Sequence, residues 1–296
     1  AARLATLPIT ILAAPFNVGK PKQQRISSAL AALGPSYIKL GQFLATRADV
    51  IGPEAAADLS RLQDKLPPFP MADAVEDALG GKLEDHFVEF GPPVAAASIA
   101  QVHKAVTLDK DGQRREVAVK ILRPGVERRF KRDLDSYFFA ARLVERVHAP
   151  SRRLKPVAVG ENLARTTELE MDLRLEGAAI SEMAENIAPD ERFRVPTVDW
   201  TRTAKRVLTT DWIDGIPISD HARLKADGHD LKALGLVVLR SFLTHAMRDG
   251  FFHADMHQGN LFVDTAGNVV AVDFGIMGRL GHTERRFLAE ILHGLI

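Results

Sequence analysis

A chain of 296 residues with 46% hydrophobic content can bury a substantial core, and 39 basic against 38 acidic residues leave no global field of the kind that selects nucleic acid. The absence of cysteine excludes disulfides, thiolate metal centres and a cysteine nucleophile. No apolar run reaches the ~20 residues that span a bilayer, and the best candidate, Leu4 to Phe16, is broken by Pro8 and Pro15.

Residues 1–85 read as a helical region. Helices are predicted over Ile26–Leu33, over Ser36–Ala48 after Gly34-Pro35, and over Glu54–Asp64 after Pro53. Pro67-Pro68-Phe69-Pro70 then breaks the chain, and a short helix, Met71–Leu79, stops at Gly80-Gly81. The character changes to strand at His86–Phe90, with a turn at Gly91-Pro92. Strands Ala100–Leu108 and Glu116–Leu122 follow, joined by Asp109-Lys110-Asp111-Gly112, which predicts an antiparallel sheet.

A basic amphipathic helix is expected from Pro124 to about His148 and a second helical region from Val159 to Ala184. The basic clusters Arg123 to Arg132 and Arg152-Arg153-Leu154-Lys155 read as solvated helix faces, with a membrane-surface or partner contact as the alternative. Arg206–Trp212 reads as a strand closed by Asp214-Gly215, and Leu231–Arg248 as a helix stopped by Gly250. Leu261–Val263 and Val269–Val272 form a hairpin around Asp264–Asn268. Sheet first and helix second predicts an α+β chain of two lobes, 86–208 and 209–296, with a hinge near Thr209 to Gly215. The apolar helical pattern still running at Phe287–Leu292 reads as a fragment of a longer protein.

The strongest chemical signal is His253-Ala254-Asp255-Met256-His257-Gln258-Gly259-Asn260, followed by Asp273-Phe274-Gly275. Phosphoryl transfer needs a carboxylate beside the attacking hydroxyl or water, and an amide oxygen with a second carboxylate to hold Mg²⁺ against the phosphates. Asp255, Asn260 and Asp273 supply these groups, and the hairpin between them brings both ends of the segment together. In order, they make the HxDxxxxN plus DFG pattern of protein-kinase-like folds. A metal cluster of His253, Asp255 and His257 is the competing reading, but it gives Asp-Phe-Gly no role. For the two histidines, hydrogen bonding within the loop is the favoured reading.

Lys120 ends the alternating strand Val117-Ala118-Val119-Lys120, where a lysine can reach nucleotide phosphates. In kinase-like folds a helix glutamate holds that lysine. Within Glu168 to Glu176 the choice is Glu170, with Glu176 as a second acidic ligand near the metal. Against GxGxxGxV, residues 95 to 102 put alanine at all three glycine positions and keep Val102. Ala95, Ala96, Ala97 and Ser98 are therefore the expected phosphate loop.

Together with Lys39-Leu40-Gly41-Gln42, a KxGQ motif, these elements resemble the UbiB family of atypical kinase-like proteins in ubiquinone biosynthesis. The resemblance runs from Lys39 to Asp273. It implies a two-lobed protein-kinase-like fold with an N-terminal helical extension carrying KxGQ, whose Lys39 and Gln42 serve the nucleotide site. It implies MgATP as ligand, ADP as product, and Thr210, Asp211 and Trp212 as backbone contacts to adenine. It further implies a lipid-like quinone precursor, a membrane surface and other ubiquinone-biosynthesis proteins as partners, without nucleic acid. The expected place is the cytoplasmic face of the inner membrane, peripheral or anchored by a segment outside this chain.

Two positions depart from the pattern: Ala254 stands where kinases carry arginine, and Ala179 where many relatives carry the asparagine of ExxN. A small-molecule kinase of the aminoglycoside or choline type is one alternative, since it also uses HxDxxxxN. A nucleotide-binding scaffold without turnover is the other.

Overall fold

A computed structural model of the chain describes residues 25–33, 35–45, 48–60, 62, 68–97, 99–147 and 149–295. The chain forms two compact units. One takes the described residues of Ala1–Ala74 with Pro93–Val102 and Leu122–Met171; the other takes Val75–Pro92, His103–Ile121 and the described residues of Asp172–Ile296. Neither is a contiguous stretch of sequence.

In the first unit, helices α1 (Arg25–Leu33), α2 (Pro35–Ala45), α3 (Ala48–Ile51) and α4 (Pro53–Leu59) pack around Leu30, Ile38, Leu44, Leu59 and Leu62. Buried Asp58 accepts from the Ser27 hydroxyl at 2.6 Å and from the Ile26 N–H at 3.0 Å, which satisfies donors of the first turn of α1. Gly41 is where α2 comes nearest its neighbours: a Cβ there would run into Leu62 and Leu30 side chains.

After α5 (Ala72–Leu79) and α6 (Leu83–His86) come strands β1 (Glu89–Ala96), β2 (Ala100–Leu108) and β3 (Arg114–Leu122). The expected strand at His86–Phe90 and turn at Gly91-Pro92 are corrected here: His86 ends a helical turn, and Gly91-Pro92-Pro93 lie inside β1. Prolines are tolerated there because β1 is an edge strand, paired on one side with β2, and need not donate on its outer side. Gly91 admits the close approach of the Lys104 carbonyl, 2.9 Å from where a Cβ would stand. Helix α7 (Val126–Val147) then packs on α8 (Pro156–Glu170), with Gly160 seated against the rings of Tyr137 and Phe138. The Tyr137 hydroxyl donates to the Pro156 carbonyl at 3.0 Å, and burial pushes its pKa up to about 12.

The helical region expected over Val159–Ala184 holds two helices. Helix α8 ends at Glu170, and Asp172 caps α9 (Leu173–Asn186) by accepting from the Arg174 N–H. Strand β4 (Phe193–Arg194) precedes β5 (Val207–Asp211), which pairs antiparallel with β3 and sets Lys120 opposite Leu208. Val117, Val119 and Ile121 are fully buried, so the two-residue period sends Lys120 to the other face of β3.

Beyond β6 (Gly215–Pro217) and helices α10 (His221–Ala226) and α11 (Leu231–Thr244), a π-helical turn over His245–Asp249 is closed by Gly250 at φ 66, the glycine stop expected from sequence. Strand β7 (Phe251–His253) pairs with β10 (Met277–Arg279). Strands β8 (Leu261–Asp264) and β9 (Val269–Ala271) form the expected hairpin in the sheet β4-β9-β8-β6, before the final helix α12 (His282–Leu295).

The packing at Gly41 makes a direct prediction. Gly41→Ala lowers unfolding stability by about 1–3 kcal/mol in chemical denaturation, the usual cost of overpacking, although alanine is the better helix former.

Candidate active site

The functional residues of the second unit come from four places: β3, α9, the loop between β7 and β8, and the residues after β9. Gly177 allows α9 to lie close to β5, with a Cβ there only 3.1 Å from Trp200 and 3.2 Å from Leu208. The preceding residue, Glu176, is thereby brought to Lys120 on the neighbouring strand. The Lys120 Nζ stands 2.8 and 2.9 Å from the two Glu176 oxygens and 3.4 Å from Asp273 Oδ1. The Phe274 N–H also donates to Glu176, which ties the helix carboxylate to the Asp-Phe-Gly backbone.

Burial alone would lower the Lys120 pKa, but Asp273 and Glu176 outweigh it and hold the ammonium above its ordinary range. Glu176 is the reverse: burial raises its pKa, with Asp273 adding to the rise, against the pull of Lys120. Asp273 is lowered to about 2, chiefly by Lys120 and further by the Gly275 N–H. One ammonium thus sits between two carboxylates in unlike environments.

The loop is built by its own side chains. His253 is buried and accepts from the Asp255 N–H at Nδ1, 3.1 Å, so its proton is on Nε2; burial lowers its pKa, and the ring stays neutral. It stacks edge-on against buried Phe274, with centroids 5.1 Å apart. His257 Nδ1 accepts from the Gly259 N–H at 2.9 Å. Both histidines thus serve the loop's hydrogen bonding, and each uses Nδ1 to do so. No three His, Asp or Glu side chains group to hold a metal among the described residues, so the His253, Asp255 and His257 cluster is not formed. Asn260 Nδ2 donates to the Asp255 carbonyl at 3.2 Å, and the Val272 N–H to the Asn260 carbonyl at 3.0 Å. These bonds join Asp255, Asn260 and the strand leading to Asp273, while the Asp255 carboxylate remains about half exposed.

Two expectations are corrected. The partner of Lys120 is Glu176, not Glu170, because the break at Met171-Asp172 puts the two glutamates on different helices. Glu176, with both oxygens on Lys120, is then not an open metal ligand. In the first unit, Glu170 instead pairs with Lys39 at 3.0 Å, and Gln42 is half-buried on α2. Ala95 and Ala96 end β1; the Ala97 N–H is used in a turn, donating to the Ala100 carbonyl at 2.7 Å, and Ser98 lies outside the described residues. At the adenine segment, Thr210 is a buried member of β5. The Asp211 N–H donates to the Thr197 carbonyl and the Trp212 N–H to the Glu116 carbonyl, so these two donors are already taken. Asp211 pairs with Arg115, and Lys104 lies over the Trp212 ring at 5.0 Å. Sequence reasoning missed the cap at Asp172, an aspartate between two helical stretches that marks a helix start.

The arrangement matches known proteins along most of its length. The ABC1 atypical kinase-like domain covers residues 61–296. The chain belongs to the ABC1 atypical kinase-like family. It is 40% identical to a protein named "Probable protein kinase UbiB" from Marinobacter nauticus, over 97% of this chain and 54% of that protein. A protein of the same name from Xanthomonas campestris pv. campestris is 43% identical over 90% of this chain and 50% of its own length. The chain therefore spans about half the length of these relatives. Among solved structures it resembles Rv3197 from Mycobacterium tuberculosis, described in complex with erythromycin, with a TM-score of 0.60 and 28% identity over 94% of this chain and 68% of that one. The α+β fold of this ABC1 chain is protein-kinase-like, as the motifs imply, and the resemblance to UbiB proteins holds.

The charge balance in this ABC1 site gives a pH prediction. A carboxylate with a depressed folded-state pKa contributes stability above its unfolded value, and that contribution is lost as pH falls through the folded value. For Asp273 the window runs from its ordinary 3.8 down to about 2. Lys120→Met removes the chief cause, so the Asp273 carboxyl titration, followed by carbon-13 NMR, moves up toward the ordinary value. An unmoved midpoint contradicts the assignment.

Proposed function

We propose that this chain binds MgATP through Lys120, Asp273 and Asn260 and acts as an atypical kinase-like ATPase in ubiquinone biosynthesis, on or with lipid-like quinone precursors. The observation that carries this reading is the Lys120 ammonium held by Glu176 and Asp273 beside a loop that joins Asp255 to Asn260. The relatives named for UbiB supply the pathway context.

The donor set fits a magnesium ion. Asp273 offers an ionised carboxylate, and Asn260, with Nδ2 on the Asp255 carbonyl, keeps its amide oxygen for a ligand. These are hard oxygen donors, too few to enclose an ion, which suits a cation that completes its shell with waters and substrate phosphates. Bound there, magnesium supplies charge neutralisation at the phosphates. Lys120 neutralises further phosphate charge, and Glu176 keeps its ammonium in place. The Asp255 carboxylate orients the acceptor hydroxyl or water and takes its proton as oxygen bonds to the γ-phosphorus and the bond to the ADP oxygen breaks.

Thermal stabilisation by ATP, measured with and without magnesium, tests this. The wild-type chain is stabilised by MgATP, and Asp273→Asn lowers the magnesium-dependent affinity by about tenfold or more. Stabilisation that Asp273→Asn leaves intact contradicts the site. Magnesium-dependent binding without ATP turnover in the longer, full-length protein shows a nucleotide-binding scaffold instead.

A further inference from the structure

The outward face of α7 is not an ordinary solvated helix surface. Its inward face is fixed by buried Val126, Phe130 and Ala141. The exposed positions carry Arg128, Arg129, Lys131, Arg132, Arg142 and Arg146 against one acid, Asp135. Among them runs an apolar stripe at i, i+4 and i+8: Phe139 is 72% exposed, Leu143 50% and Val147 73%. A helix face meant only for water has no reason to leave a phenylalanine and two aliphatic side chains open in a row.

At the end of this stripe lies a cavity of about 420 Å³ lined by Arg142, Glu145, Arg146, Arg152 and Lys155. Its one acid is engaged: the Glu145 carboxylate accepts from the Val157 N–H at 3.2 Å. Arg152 is fixed there by donating to the Glu145 carbonyl at 2.7 Å and the Arg146 carbonyl at 3.2 Å. The cavity therefore presents several cations, with Arg152 held in place at the join between α7 and α8.

We infer that this face of α7, with its basic cavity, docks on an anionic phospholipid surface, the apolar stripe entering the acyl boundary and the arginines meeting headgroup phosphates. Charge complementarity selects this occupant. A second copy would bring the same six cations against themselves. Nucleic acid would use the arginines but leave the aliphatic side chains without a partner, whereas a lipid interface uses both. Among the described residues no helix is long and apolar enough to cross a membrane, so α7 lies on the surface instead of spanning it. The inference gives a location to the membrane-surface partner that the family resemblance implies, and it does not depend on nucleotide chemistry.

Co-sedimentation with vesicles of phosphatidylcholine, alone or mixed with phosphatidylglycerol, tests the face. The wild-type chain partitions onto the mixed vesicles, less so at high salt. Arg142→Gln with Arg146→Gln lowers that partition by about tenfold. Phe139→Ser with Val147→Ser lowers it too, and because these residues are exposed the circular dichroism spectrum and melting temperature stay at wild-type values. MgATP stabilisation, read on the same samples, is unchanged in both variants, so failure of the docking face and failure of the nucleotide site are told apart. Equal partition onto phosphatidylcholine alone, or variants that bind mixed vesicles like wild type, overturns the inference. A shift from dimer to monomer in the serine variant, with vesicle binding unmoved, also overturns it and makes the face a self-interface.

Discussion

The Lys120 ammonium, largely removed from water, is the contact on which separate pieces of chain converge. Strand β3 presents it, α9 brings Glu176, and the segment after β9 brings Asp273. Because the Phe274 N–H also reaches Glu176, the helix carboxylate holds the lysine and the Asp-Phe-Gly backbone at once. Taking charges out of water is costly, and burial raises the Glu176 pKa even with an ammonium in contact. Such an ion pair is weak support for the fold. Its persistence accords with use in binding, since perturbed ionisable groups gather where charge must meet a ligand.

The rest of the second unit can be understood as what holds those charges still. Gly177 brings α9 close enough to β5 for Glu176 to reach. Phe274, the residue after Asp273, is buried against His253, while the Asp273 carboxylate takes the Gly275 N–H. Of the loop histidines, His253 satisfies the Asp255 N–H, where the chain is in neither helix nor sheet, and His257 caps the short 3-10 turn Gln258–Asn260 by taking the Gly259 N–H. The Asp255 carboxylate is left partly open to solvent, as its proposed role toward an acceptor requires.

Much of this was legible because it depends on short-range chemistry. The pattern from His253 to Asn260, a turn at Asp264–Asn268 and Asp273 after a buried strand are local, and the hairpin brings them together in the order read. The Lys120 partner was not legible in the same way, since it depends on where a helix ends. The run from Glu168 to Glu176 offers several acidic candidates and shows no partner; Asp172, capping a new helix, puts Glu170 and Glu176 on different helices. The alanines fall at the join of β1 and β2, where Ala95 and Ala96 end β1 and the Ala97 N–H bonds to the Ala100 carbonyl. What local sequence does not show is that the edge position of β1 lets Gly91-Pro92-Pro93 stay in a strand where a turn is expected. The exposed stripe on α7 was hidden too, because composition shows its charges but only packing shows which apolar side chains face outward.

At the proposed nucleotide site Lys120 and Glu176 act as one unit. MgATP affinity measured by titration calorimetry for Lys120→Met, Glu176→Gln and the double variant tests this coupling. Each single change is expected to weaken binding by about tenfold or more, and the double variant to bind no worse than the weaker single one. Wild-type affinity in Glu176→Gln, or losses that simply add in the double variant, would contradict it.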